Sequence, residues 1–251
     1  MSRRSKRDNI DQILSRWSYK PGEVITREVL GEDGRPLLQM RLEIGLLQME
    51  VTGRPDGERP EDFETYYDYL VALAAREDGT FQLQRDQCLE VDREFVQFYH
   101  RRICWLTLQK FSRATADADH TLALMDFANA HAEDENWALS HEQYRPFVMF
   151  HRIQAAALSQ IEKGDGSADA VHEIDTGLSE LRELFDQWDT EESFEENELV
   201  QRLTELRRSL HDQYKIEPSL TERLSKAIAV EEYELAAKIR DEIFRREKKP
   251  I

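Results

Sequence analysis

Long apolar runs are missing from this chain: no stretch approaches the roughly 18 residues that span a bilayer, so a membrane-embedded protein is not expected. Cysteine is nearly missing too. The two present, Cys88 and Cys104, are too few for a disulfide framework or a four-ligand structural zinc site. The opening MSRRSKRDNIDQIL is basic but has no apolar core, so no secretory signal is read and a reducing cytoplasm is the expected setting. Positive charge is in deficit: 34 Lys and Arg stand against 51 Asp and Glu, a net charge of −17 over 251 residues. Binding a duplex requires clustered cations that displace counterions from phosphates. The dense basic cluster here is Arg3, Arg4, Lys6 and Arg7, on a terminal tail. Direct nucleic-acid binding is therefore disfavoured.

Chemistry-bearing motifs are also scarce. The chain has no phosphate-cradling glycine loop, nucleophile elbow or zinc-protease helix, so no catalytic residue, no cofactor and no enzyme activity are expected. The seven histidines are scattered along the chain. Asp117-x-x-His120 and Asp169-x-x-His172 echo a di-metal bundle, which also needs glutamates from two further helices. Aspartate is short for that geometry, and polar helix faces explain both pairs; a metal-binding bundle stays as an alternative. GRPDG (53–57) reads as a tight turn of Gly, Pro and Asp, with a binding loop as the other reading.

What is present is mostly helical periodicity. Ile10, Ile13, Leu14 and Trp17 share one face of a short helix ending before Pro21. The period then changes to two. Val24, Thr26 and Glu28 alternate with Ile25, Arg27 and Val29; after GEDGRP, Leu38, Met40, Leu42 and Ile44 alternate with Gln39, Arg41 and Glu43. This predicts a hairpin, extended by a third strand over 46–51. So small a sheet is marginal alone and must pack on helices. From Phe63 to Phe185 the signal is helical, with Phe63, Tyr66, Tyr67, Leu70, Leu73 and Ala74 on one stripe. A break over 109–112 divides the next long run into two helices. Ser140 with Gln143 reads as a capping box for a helix through FVMFHRIQAAALSQIEK. GDGS (164–167) turns into a returning helix.

Residues 186–198 hold seven acids and no base, a solvated linker in which Ser193 and Glu196 are placed to cap the next helix. There Leu199, Leu203, Leu206 and Leu210 form a narrow seam, suited to a paired helix but too short to establish a coiled coil. The expected fold is mainly α: antiparallel helix pairs, a small N-terminal β-hairpin or three-stranded sheet, and a C-terminal helical hairpin. The segments are a basic tail and short helix (1–18), a β region (19–60), a helical-pair domain (61–185), an acidic linker and connecting helix (186–217), and the hairpin (218–251).

Two resemblances follow. Phe98, Trp105, Phe111, Ala114 and Ala118 occupy aromatic and small positions similar to those of tetratricopeptide repeats. Arg101-Arg102 stands where that family has Leu-Gly, and no 34-residue period appears. A generic helical bundle remains the equal alternative. The second is at the C-terminus. Ser219 and Glu222 after Pro218 start a helix bearing Leu220, Leu224, Ala227 and Ile228. A second helix follows a bend at 230–232, with Tyr233, Ala236, Ala237, Arg240 and Ile243 expected on its inner side. About thirty residues with one narrow apolar face make too little core for independence.

Leu224, Ala227-Ile228, Glu232-Tyr233-Glu234, Ala236-Ala237, Ile239, Arg240-Asp241 and Ile243 follow a pattern that resembles the UVR motif. That motif occurs in the bacterial excinuclease B and C subunits, in activators of protein-arginine kinases and in some Clp ATPases. The rest of the chain resembles bacterial helical proteins that end in the same motif. The resemblance implies protein–protein contact through Leu224, Ala227, Ile228, Tyr233, Ala236, Ala237, Arg240, Asp241 and Ile243. It points to a non-catalytic adaptor that docks a protein partner or self-associates. The alternative it implies is an accessory factor of nucleotide excision repair, touching DNA or the excinuclease.

Overall fold

The structure, a computed structural model, describes residues 9–77, 79–164, 166–188, 194–214, 224, 227, 228, 230 and 232–247. The basic cluster at 3–7, Ser193, the Ser219–Glu222 box, Leu220 and the side chain of Ile243 lie outside the described residues.

Helix α1 (Asp11–Arg16) leads into three strands, β1 (Ile25–Leu30), β2 (Pro36–Leu42) and β3 (Gly45–Glu50). They form one antiparallel sheet in the order β1-β2-β3, with Glu28 opposite Leu38 and Leu38 opposite Met49. The central strand is covered on both faces. Leu38 and Met40, with Met49, pack on Cys104, Trp105, Ala114 and Ala155 of the helical body. On the other face Gln39 accepts from Arg27 Nη2 (2.8 Å) and donates to Gln48 (2.8 Å), while Arg41 Nε donates to Trp17 O (2.8 Å). Arg27 lies over the Trp17 ring at 4.1 Å, so the segment carrying α1 covers this side. Ile44, expected to continue the inward alternation, lies instead in the two-residue β2–β3 turn, exposed.

The body is built from α2 (Tyr66–Ala74), α3 (Arg85–Thr107), α4 (Phe111–His131), α5 (Glu135–Glu142), α6 (Arg145–Glu162), α7 (Ser167–Trp188) and α8 (Glu198–Tyr214). The expected break between α3 and α4 is present, with Gln109 in the left-handed region at φ 57°. Neighbours pack as α3 on α4, α4 on α6, α6 on α7, and α8 on both α6 and α7. One core joins Tyr66, Leu70, Val91, Phe95, Leu124 and Met125; another joins Phe150, Ile153, Ile174, Leu181, Leu203 and Leu210. The Leu199–Leu203–Leu206–Leu210 seam is therefore satisfied within the body, against α6 and α7.

Three local readings are corrected. The helical signal from Phe63 onward is interrupted: Phe81 and Leu83 are buried in an extended segment, where Leu83 N–H donates to His131 O (2.8 Å). Ser140 and Gln143 do not cap α6. Ser140 lies inside α5, which Asp134 caps, and its hydroxyl donates back to Trp137 O (2.6 Å). Helix α6 starts at Arg145 with Pro146 in its first turn, where the missing N–H costs nothing. Helix α8 is capped by Asn197, whose Oδ1 accepts from Leu199 N–H (3.0 Å), one residue before the helix begins. Mainly α with a small antiparallel sheet is the observed class. Among the described residues, no helix is long and apolar enough to cross a membrane.

Candidate functional site

At the C-terminal end, Leu224, Ala227 and Ile228 are helical, and α9 (Tyr233–Glu247) follows. Glu232 N–H donates to Ala227 O (2.7 Å), and Ala236 N–H to Glu232 O (2.9 Å). These bonds close the bend and open α9. The core between the two pieces is Ala227, Ala236 and Ile239, with Leu224 packed against it. Alanine on both sides removes the side-chain bulk that sets interhelical distance, so the backbones approach closely.

The expected inner face of α9 is partly corrected. Ala236 is buried, but Tyr233 is 66% exposed and Arg240 is exposed, its Nη2 2.9 Å from Asp241. The reason is angular: at 3.6 residues per turn, Tyr233, Ala237, Arg240 and Phe244 form one stripe. Ala236 and Ile239 lie roughly a quarter turn around from it. The reading from spacing merged two neighbouring stripes. Ile228, Val230 and Phe244 are exposed as well. The hairpin thus uses small residues to hold itself together and presents its larger apolar groups outward.

The body holds buried polar networks that spacing did not reveal. Glu94, fully buried, accepts from Tyr66 N–H (2.7 Å) and Tyr67 N–H (3.0 Å), so it caps α2 from α3. His120 Nε2 is 2.9 Å from Glu94 Oε1, the oxygen that also accepts from Tyr67. Arg54 of the GRPDG turn is buried against Glu90, 2.7 Å away; this loop is a turn whose cation is already engaged. Arg101 clamps Asp117 through Nε (2.9 Å) and Nη2 (2.7 Å), while its Nη1 donates to Gly53 O (2.7 Å). That arrangement ties the sheet's exit loop to α3 and α4. The signal for it was the Arg101-Arg102 pair standing where an apolar stripe should continue.

The metal alternative is not assembled. Asp117 is held by Arg101, His120 faces Glu94, and His172 lines an open groove between α7 and α8. Among the described residues, no group of three or more His, Cys, Asp or Glu is placed to hold a metal ion. The cysteine thiols are pushed up by burial, Cys104 to about 11, which keeps them protonated and unreactive at neutral pH.

The most distinctive element is therefore a small α-helical hairpin that turns Ile228, Tyr233 and Phe244 to solvent. Residues 215–249 match the family model of the UvrB/uvrC motif, UVR. No family model matches the rest of the chain. Neither the curated proteins nor the solved structures contain a match.

Proposed function

We propose that this protein is a non-catalytic adaptor of the bacterial cytoplasm that docks a protein partner through its C-terminal UVR hairpin. The observation that carries the reading is the match over 215–249 on an element that turns Tyr233 and Ile228 to solvent. Exposed aromatics flanked by charge are the usual anchors of protein interfaces. Arg240, beside Tyr233 on the same stripe, supplies a cation for an acidic residue of the partner. The three-layer body of sheet, α3/α4 and α6/α7/α8 then serves as a rigid carrier.

The same match favours a second reading, in which the partner is an excinuclease subunit and the protein assists nucleotide excision repair. Here too contact runs through protein rather than DNA, because a net charge of −17 opposes binding to phosphates. Capture from a bacterial lysate by the full chain and by residues 1–217, with mass spectrometry of what is bound, tests both readings. The adaptor reading requires proteins that only the full chain retains; excinuclease subunits among them select the second. An identical set on both chains rejects the two together.

A further inference from the structure

Helix α5 rests on α4 and α7 rests on α6, and the gap left between them is an open cleft of about 670 Å³. Its apolar walls are Leu139 of α5 and Leu184 and Trp188 of α7. Leu139 is 61% exposed and Trp188 38%, so large apolar groups face water together in one place rather than scattered singly. The volume lies in the range of clefts that hold ligands, and tryptophan is a frequent anchor of binding energy at interfaces.

The polar side of the cleft is held in place and its cation is engaged. Glu142, buried at the end of α5, accepts from Asn129 Nδ2 (2.7 Å) and from Arg145 Nη2 (2.7 Å). The same Nη2 donates to Asp126 Oδ1 (2.7 Å). Arg145, the one base that lines the cleft among the described residues, therefore serves two carboxylates, and the Asp126 side chain remains 70% exposed. Exposed Glu135 stands one turn before Leu139, and exposed Glu183 one turn before Gln187, which also lines the cleft. Residues four apart share a helix face. Asp126, Glu135, Glu142 and Glu183 thus border the apolar walls, with Arg145 alone to offset them.

We propose that this cleft docks a cationic amphipathic helix of a partner protein. The helix sets its aliphatic residues on Leu139, Leu184 and Trp188 and its Lys or Arg heads at Asp126, Glu135 and Glu183. Lysine and arginine stems cover apolar surface while their charged ends reach outward, and Trp188 offers a ring face to a cation. An anionic ligand finds no free cation, because Arg145 already serves Asp126 and Glu142. A second copy would bring a further net charge of −17 to an acidic rim. The site uses no residue of the hairpin, so it stands independently of the docking reading above.

The test is fluorescence anisotropy of a labelled synthetic peptide, about four helical turns of leucine and lysine in amphipathic spacing, titrated with the full-length protein. Two control peptides accompany it: the same composition scrambled so that no apolar stripe forms, and the same spacing with glutamate for lysine. The amphipathic cationic peptide should bind at least about tenfold tighter than either control. Leu139→Ser and Trp188→Ala should each weaken it about tenfold or more, as for interface anchors. Ile44→Ser, in the exposed β2–β3 turn, should leave it unchanged. Glu135→Lys combined with Glu183→Lys should weaken binding and flatten its salt dependence. Should Trp188→Ala fail to fold, Leu139→Ser, at an exposed position, decides. No binding, equal affinity for the scrambled peptide, or wild-type affinity in Leu139→Ser overturns the site. Preference for the glutamate peptide overturns it too, as does self-association of the wild type that Leu139→Ser removes, which would assign the cleft to a second copy.

Discussion

Gly177 of α7 sits against Ile153 of α6 so closely that a Cβ at position 177 would lie 2.3 Å from Ile153 Cγ1. Glycine here permits the α6–α7 approach that buries the second core. Because Ile153 is itself fully packed, it has little room to yield. Gly177→Ala should destabilise the protein by about 1–3 kcal/mol by overpacking, measured by urea unfolding. Gly45→Ala, where a Cβ meets nothing within 4 Å, should change stability by less than about 0.5 kcal/mol. In a double-mutant cycle, Ile153→Ala should recover part of the Gly177→Ala loss, since the two residues share one clash.

Glu94 supplies the second prediction. Its carboxylate answers two N-terminal N–H groups of α2 and faces His120. Glu94→Ala leaves those donors buried and unmet, a loss of roughly 3–5 kcal/mol, as for other broken buried charge networks. Glu94→Gln retains one acceptor oxygen and should cost clearly less. Equal losses in chemical denaturation would show that the cap contributes little.

Acid sensitivity is the third. His151 has a folded-state pKa lowered from 6.5 to about 3 by burial, with Arg102 and Arg202 adding to the effect. The neutral form is therefore the native one. Its contribution is fully present above the unfolded value of 6.5 and is lost as pH falls from there toward 3, while the unfolded chain takes up the proton. Wild-type stability should fall between pH 7.5 and 4.5 by about 2–3 kcal/mol more than that of His151→Leu. Parallel pH profiles for the two proteins would contradict this. His141 is lowered in the same direction, its burial outweighing Asp92, and shapes the slope that remains.

Much of this architecture was legible because it rests on periodicity. The change from period two to period 3.6 near residue 60, the α3–α4 break and the Leu199–Leu210 seam all follow from apolar spacing. What spacing missed has physical causes. Ser140 looked like a cap because serine serves caps and helix interiors alike, and its three-residue lead over Gln143 matched by coincidence. The burial of Arg101, Arg102 and Glu94 leaves no mark in apolar spacing, because charged residues are rarely buried. Their partners lie on other elements: Asp117 and Thr121 are 16 and 19 residues away, and Tyr66 is 28 away from Glu94. In the hairpin, apolar residues on two adjacent stripes of α9 left the inward one undetermined; only the packed geometry selects Ala236 and Ile239 over Tyr233 and Arg240.

Nucleic acid offers the fourth prediction. A chain with a net charge of −17 should show no appreciable duplex binding at physiological salt, checked by fluorescence anisotropy. Sub-micromolar binding that falls steeply with added salt would require a phosphate-contacting surface and reverse the ranking of protein over DNA as the partner.

The claim that the hairpin docks through its outward stripe is tested most directly by comparing what the full-length protein and its Tyr233→Asp variant capture from the same lysate, with helicity and Tm measured alongside. Tyr233 is exposed and outside the Ala227–Ala236–Ile239 core, so the negative charge introduced there should leave folding intact. Ala236→Leu, which overpacks that core, marks what loss of the hairpin fold itself looks like. The account predicts that Tyr233→Asp melts as the wild type does but loses its partners, with affinity reduced at least about tenfold as for an aromatic anchor. Retention of the same partners at the same yield would contradict it.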